Sequence, residues 1–285
     1  MTTLTKIVAC ALTLWALQVS AAFASTPLPI FVSILPQKYF VERVGGQHVA
    51  VSVMVRPGQS PETYEPTSRQ MTALARAQLY FSIGVPFEAS WMTRILAANP
   101  ALQIVPLQRG IALLPLTGAS GEPAGMDPHV WTSPQRVKVM AAGIRDALIK
   151  TDPTHRGDYD ANEQAFRTEL NTLDQNIRAI LAPVKGKAFM VFHPAWGYFA
   201  NDYGLRQIPI AAEGKEPGAK ALAQVIELGK REGVKVIFVQ TQFSRHTAET
   251  IAAAMGARVV GVDPLAENYP QNLLRVAHAF ASALQ

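Results

Sequence analysis

The sequence predicts an α/β protein of two βα-alternating lobes joined by one long rigid helix. Three observations predict it: strand-length apolar runs alternating with helix-like stretches in the amino half, a second such series in the carboxyl half, and one sustained amphipathic pattern between them.

In the amino half, β-branched or aromatic runs occupy 30–35, 49–55, 79–83 and 104–107, separated by helical patterns around 36–44, 67–77 and 86–98. In the carboxyl half the runs are 188–192, 207–212, 234–239 and 258–262, with helical patterns at 196–203, 218–231, 244–255 and 267–283. The second half repeats the plan of the first without residue-level repetition. Between them, Asp152 and Pro153 form a helix start, and Tyr159, Phe166, Leu170, Leu173, Ile177 and Ile180 recur at intervals of 7, 4, 3, 4 and 3. This predicts a helix over 154–182, stopped by Pro183 and roughly 40 Å long at about 1.5 Å per residue. Gly157 weakens its first turn by about 1 kcal/mol relative to Ala. A connector of this stiffness allows small rocking and opposes wide hinge opening. The chain is thus divided into an amino-terminal lobe (25–152), a connecting helix (153–183) and a carboxyl-terminal lobe (184–285).

The composition suits such a protein. Of 285 residues, 49% are hydrophobic and 16% charged, which excludes disordered, collagen-like and coiled-coil chains. The net charge of +5 is mild and the Lys and Arg residues are scattered singly, so no nucleic-acid partner is indicated. Lys6, the apolar stretch 7–19 and Ala22-Phe23-Ala24 read as a signal peptide over 1–24, cleaved before Ser25. That stretch is too short to span a bilayer of about 30 Å, so a secreted protein without stable membrane insertion is expected. Cys10 is the only cysteine and lies in this leader; with three apolar residues before it, it does not suit a lipoprotein acylation site. A metal site in the mature chain must therefore use His, Asp and Glu.

The phosphate-binding G-x-x-x-x-G-K-[ST], the G-x-S-x-G elbow and H-E-x-x-H are missing from the sequence. What stands out is the placement of His and acid residues at strand ends, where open α/β sheets collect ligands. His193 follows the run 188–192, and Asp263 follows 258–262. In the amino half, Asp127-Pro128-His129-Val130-Trp131 is a turn-like segment before a helix starting near Ser133-Pro134, and Pro61-Glu62-Thr63-Tyr64-Glu65-Pro66 is the loop after the run ending at Val55.

These segments resemble those of one family. Pro57-Gly58 with Thr63-Tyr64-Glu65-Pro66, then Asp127-Pro128-His129-Val130-Trp131, then Phe192-His193-Pro194-Ala195-Trp196-Gly197-Tyr198-Phe199, then Asp263-Pro264-Leu265 are similar, in that order, to motifs of the zinc and manganese solute-binding proteins of ABC transporters, the TroA-like metal-binding superfamily. The resemblance covers the whole mature chain. It implies a metal site in the interlobe cleft with two ligands per lobe, falling on His129, His193, Asp263 and the position of Glu62, where the family usually has His. Another departure is the segment 108–126, where many zinc-type members carry a His- and acid-rich loop; here Glu122 is its only acid and it has no His.

Glu62, His129, His193 and Asp263 would offer two imidazoles and two carboxylates, whose charges neutralise a divalent ion. The set is harder than three His and one Asp, which suits Mn²⁺ or Fe²⁺ better, yet the motif around His193 is similar to the zinc branch and Zn²⁺ is favoured. The resemblance implies a periplasmic, monomeric, non-enzymatic carrier that delivers its ion to an ABC permease of the inner membrane. A secreted metallohydrolase, with three of these ligands holding zinc and Glu62 or Glu65 as general base, is the reading from another class. Asp263 is also placed to cap the following helix, and Glu65 or water is the alternative to Glu62 as donor. Trp131, Trp196, Tyr198 and Phe199 are expected to pack around the site, His48, His155, His246 and His278 to hold surface or supporting positions, and Glu213, Lys215 and Glu216 to form a solvated loop.

Overall fold

A computed structural model describes residues 26–117, 123–211 and 218–285. The expected leader with its cleavage point before Ser25, Glu122, and the charged loop of Glu213, Lys215 and Glu216 lie outside the described residues.

The first lobe is built on β1 (Leu28–Val32), β2 (Val49–Val53), β3 (Leu79–Ser82) and β4 (Gln103–Pro106), all parallel, in the order β2-β1-β3-β4. Central β3 is buried at every residue, as parallel strands covered by helices on both faces must be. The crossovers carry α1 (Leu35–Gly45), α2 (Ser68–Leu74) and α3 (Pro86–Ala98). The second lobe uses β7 (Ala188–Val191), β8 (Arg206–Pro209), β9 (Val236–Val239) and β10 (Arg258–Gly261), again parallel, in the order β8-β7-β9-β10. The winding is the same as in the first lobe, strand for strand. Its helices are α6 (Gly197–Tyr203), α7 (Ala219–Arg231) and α8 (Arg245–Met255).

The strands stop before the apolar runs do, because side chains capture the next backbone groups. Ser33 and Ile34 donate their N–H groups to the Gln37 side chain at 3.0 and 3.1 Å, which turns the chain from β1 into α1. Beyond β3, the N–H groups of Ile83 and Gly84 each reach the buried carboxylate of Glu88 at 2.8 Å, and the Ser33 hydroxyl bonds the same group. Burial raises the Glu88 pKa, and these bonds offset part of the rise. The carboxyl ends of β1 and β3 are thereby held rigidly together.

An antiparallel pair, β5 (Pro115–Thr117) with β6 (Pro123–Met126), was not foreseen. Three- and four-residue strands that begin with Pro carry no readable alternation. Next come α4 (Pro134–Thr151), capped by the Ser133 side chain, and the connector α5 (Arg156–Leu181). The connector has 26 residues, about 39 Å at 1.5 Å per residue, and a 3₁₀ turn over Pro153–His155 precedes it. Tyr159, Phe166, Leu170, Leu173 and Ile177 line its buried face, as their spacing predicted. At its start His155 stacks on His48, with ring centroids 3.8 Å apart.

The last helix, α9 (Tyr269–Leu284), reaches across both lobes. Tyr269 meets Phe40 of α1 edge-on at 4.8 Å, while Phe280 lies against Phe189 of β7 and Phe238 of β9 at 4.5 and 4.1 Å. One continuous core therefore runs from the first sheet past α5 and α9 to the near face of the second sheet, and a smaller core fills that sheet's far face. Among the described residues no helix is long and apolar enough to cross a membrane.

Candidate metal centre

In each sheet the strand order reverses between the first and third strands of its lobe, β1 and β3 or β7 and β9, and such switch points open a crevice beyond the carboxyl ends. The two crevices face one small cavity. Val85 and Pro86 beyond β3 line it from the first lobe, and His193 beyond β7 and Gln240 beyond β9 line it from the second.

His193 is fixed by its own backbone. Its N–H donates to the Gln240 side-chain oxygen at 3.2 Å and its carbonyl accepts from the Gln240 amide at 2.6 Å, while its ring stacks on Phe243 at 4.9 Å. The residue is 6% exposed, and Nδ1 has no hydrogen-bond partner among the described residues. Burial, and then the neighbouring His129, push its pKa well below the usual histidine value, so the ring is neutral at pH 7.

His129 sits in the turn before a 3₁₀ segment, Val130–Thr132. Asp127 Oδ1 accepts from its backbone N–H at 2.9 Å and lies 2.6 Å from its Nδ1. A carboxylate accepts only, so the ring proton is held on Nδ1 and the Nε2 lone pair points into the cavity. The adjacent Trp131 packs beside the ring at 5.0 Å and donates its indole N–H to the Pro264 carbonyl of the second lobe at 2.8 Å.

Glu62 comes from the loop between β2 and α2. That loop is held over the start of α3 by Phe87 N–H donating to the Pro61 carbonyl at 3.2 Å, and by buried Tyr64 edge-on to the Phe87 ring at 5.4 Å. Glu62 Oε1 lies 3.6 Å from His193 Nε2, which in turn lies 3.1 Å from His129 Nε2. Among the described residues, Glu62, His129 and His193 form the group whose ligand atoms all come within 4.8 Å of one another. For donors about 2.0–2.1 Å from a common ion, the separations of 3.1 and 3.6 Å subtend roughly 100° and 120°, on either side of the tetrahedral angle. The cavity between them measures about 20 Å³, and a single water-sized sphere needs about 10–15 Å³.

Three of the four expected donors are thus brought together; Asp263 is not among them. Its Oδ1 accepts from Leu265 N–H at 2.9 Å and from the Gln242 amide at 3.3 Å, and its carbonyl accepts from Asn272 at 2.6 Å. The carboxylate closes its own turn, which presents the Pro264 carbonyl to Trp131. Glu65 is exposed. Trp131, Trp196, Tyr198 and Phe199 are buried, as expected of packing residues. Sequence reasoning assigned no role to Asp127 or Gln240. A signal was present for Asp127, an acid two residues before a turn histidine with Pro between them.

Residues 30–283 match the profile of the family described as zinc-uptake complex component A, periplasmic. A putative metal-binding protein of Chlamydia trachomatis serovar D is 28% identical over 259 residues, covering 90% of this chain and 92% of the relative. The zinc-binding protein AdcA of Streptococcus pyogenes is 27% identical over 87% of this chain, which spans only 52% of AdcA. Among solved structures, a ZnuA crystal structure aligns with a TM-score of 0.85 at 43% identity, over 91% of this chain and 100% of the other. A zinc-bound ZnuA deletion mutant aligns at 0.86 and 43%, over 91% and 99% of the two chains. The Mn²⁺ complex of FpvC from Pseudomonas aeruginosa, at 0.81 and 23% over 91% and 99%, shares the two-lobed fold. With nearly its whole length matched, the chain belongs to the zinc-uptake component A family of periplasmic metal-binding proteins.

Proposed function

We propose that this protein captures a divalent transition-metal ion in the periplasm, zinc in preference to manganese or ferrous iron, and hands it as a monomer to an ABC permease. The observation that carries the reading is the convergence of Glu62, His129 and His193 on a cavity of about 20 Å³. Donors converging from both lobes on one small cavity suit a single bound ion.

The chain's own groups prepare the site. Asp127 keeps the His129 proton on Nδ1, so His129 Nε2 meets the ion as a lone pair. Without an ion, the proton between the two Nε2 atoms belongs to His193, which donates it to His129. An arriving cation takes that place, and His193 carries its proton on Nδ1 instead. Among the described residues that atom has no partner, and a buried unpaired donor costs about 1–3 kcal/mol, which makes His193 the weaker of the two nitrogen ligands. Glu62 contributes charge, and Asp263 is the fourth donor through the carboxylate oxygen that neither Leu265 nor Gln242 engages.

Two imidazoles and the zinc-binding relatives at 27 and 43% identity support zinc; the carboxylate of Glu62 keeps manganese and iron in competition. The test is chelator-stripped protein titrated with Zn²⁺, Mn²⁺ and Fe²⁺ while melting is followed. An ion at one hundred times its dissociation constant should stabilise the fold by about 2.7 kcal/mol. Absence of any shift with all three ions would refute the proposal.

A further inference from the structure

Asp127 is 2% exposed and uses Oδ1 for His129. Its Oδ2 rests against the second lobe, at the bare Cα of Gly197. A Cβ on Gly197 would stand 2.6 Å from that oxygen, closer than carbon and oxygen can approach. Gly197 opens α6, four residues after His193. The next residue, Tyr198, donates its hydroxyl hydrogen to the Asp127 carbonyl at 2.7 Å and accepts from Leu114 N–H at 3.0 Å. The Arg136 guanidinium lies 4.6 Å from the Tyr198 ring centre and pairs with Asp202 of α6 at 2.5 Å. The turn that carries His129 is therefore seated on the helix that follows His193.

We propose that Asp127 is a positioning residue for His129 and that Gly197 is its seat: the missing side chain lets the carboxylate lie against α6 while it holds the imidazole, so packing between the lobes sets the aim of one metal donor. The proposal builds on the metal-carrier reading, but its structural half is testable without metal. Any residue larger than glycine at 197 displaces Asp127, and His129 then loses the acceptor that fixes its tautomer.

The test uses the mature protein with Gly197→Ala, Asp127→Ala and the double variant. In the metal-free protein, imidazole ¹⁵N shifts report which ring nitrogen of His129 is protonated. Wild type should show the Nδ1–H form, and Gly197→Ala should lose it. By chelator competition Gly197→Ala should weaken zinc binding about 10–100-fold. In the Asp127→Ala background the same substitution should change affinity less than about twofold, because the displaced group is gone. The proposal is overturned if Gly197→Ala keeps the wild-type tautomer and affinity, or weakens binding equally in both backgrounds. Should Gly197→Ala not fold, Asp127→Ala carries the tautomer and affinity readings, with Asp127→Asn, which keeps an acceptor oxygen, as the conservative control, and unchanged tautomer and affinity in Asp127→Ala would overturn it. If wild type binds no divalent ion, the carrier reading fails, while the tautomer measurement still decides the seat.

Discussion

His129 and His193 approach to 3.1 Å through Nε2 although 64 residues separate them, and their remaining nitrogens live in opposite circumstances. His129 Nδ1 is bound to a buried carboxylate, whereas His193 Nδ1 has no partner among the described residues. On the metal-carrier proposal, the pair consists of one nitrogen donor fixed before metal arrives and one that rearranges.

The depressed pKa of His193 has a consequence for stability. An unfolded histidine titrates near 6.5, so as pH falls below about 6.5 the unfolded chain takes up a proton that the folded ring refuses. Metal-free protein should hold this contribution in full above that value and lose it progressively toward pH 5. Urea midpoints measured from pH 7.5 to 5 should fall, and His193→Gln should flatten the slope.

Glu62→His should strengthen zinc relative to manganese in competition binding, because a third imidazole replaces the hard donor 3.6 Å from His193 Nε2. An unchanged ratio would mean that this side chain does not coordinate.

Asp263→Asn keeps an oxygen for Leu265 N–H and so leaves the turn intact, but it removes a negative donor. The melting temperature of the metal-free protein should stay within about 2 °C, a ΔΔG below about 0.5–1 kcal/mol for a chain of this size, while zinc affinity falls at least about tenfold. Equal loss of stability in metal-free and metal-loaded protein would confine Asp263 to its turn.

Phe280→Ala removes the α9 side chain that meets Phe189 and Phe238 beneath the second sheet. A cost of about 3–5 kcal/mol is expected from the cavity left behind. Because the core is continuous through both lobes, calorimetry of wild type should show a single transition, and the variant should shift that transition rather than split it.

Much of this was written in the sequence. Each of the eight parallel strands lies on an apolar run, and the 3.6-residue period of Tyr159 to Ile177 gave the connector its length. His129 and His193 were legible because strand ends and turns are where donors can face a crevice. Asp127 was named only within its motif, because its role depends on Gly197, seventy residues away. The reach of α9 into the first lobe was also hidden: periodicity shows which face of a helix is apolar and not which partner covers it. The bond from Leu265 N–H to the Asp263 carboxylate is local chemistry that a sequence pattern does not rank against a donor role.

The cavity that Glu62, His129 and His193 help to line measures about 20 Å³, room for little more than one water-sized sphere, so an ion seated among those side chains would exchange most of its waters for protein donors. Magnesium surrenders its waters reluctantly and usually keeps several, whereas zinc is content with a handful of nitrogen and oxygen neighbours. On the carrier proposal, discrimination against a strongly hydrated ion would therefore begin with size and dehydration, before the identity of any donor atom is consulted.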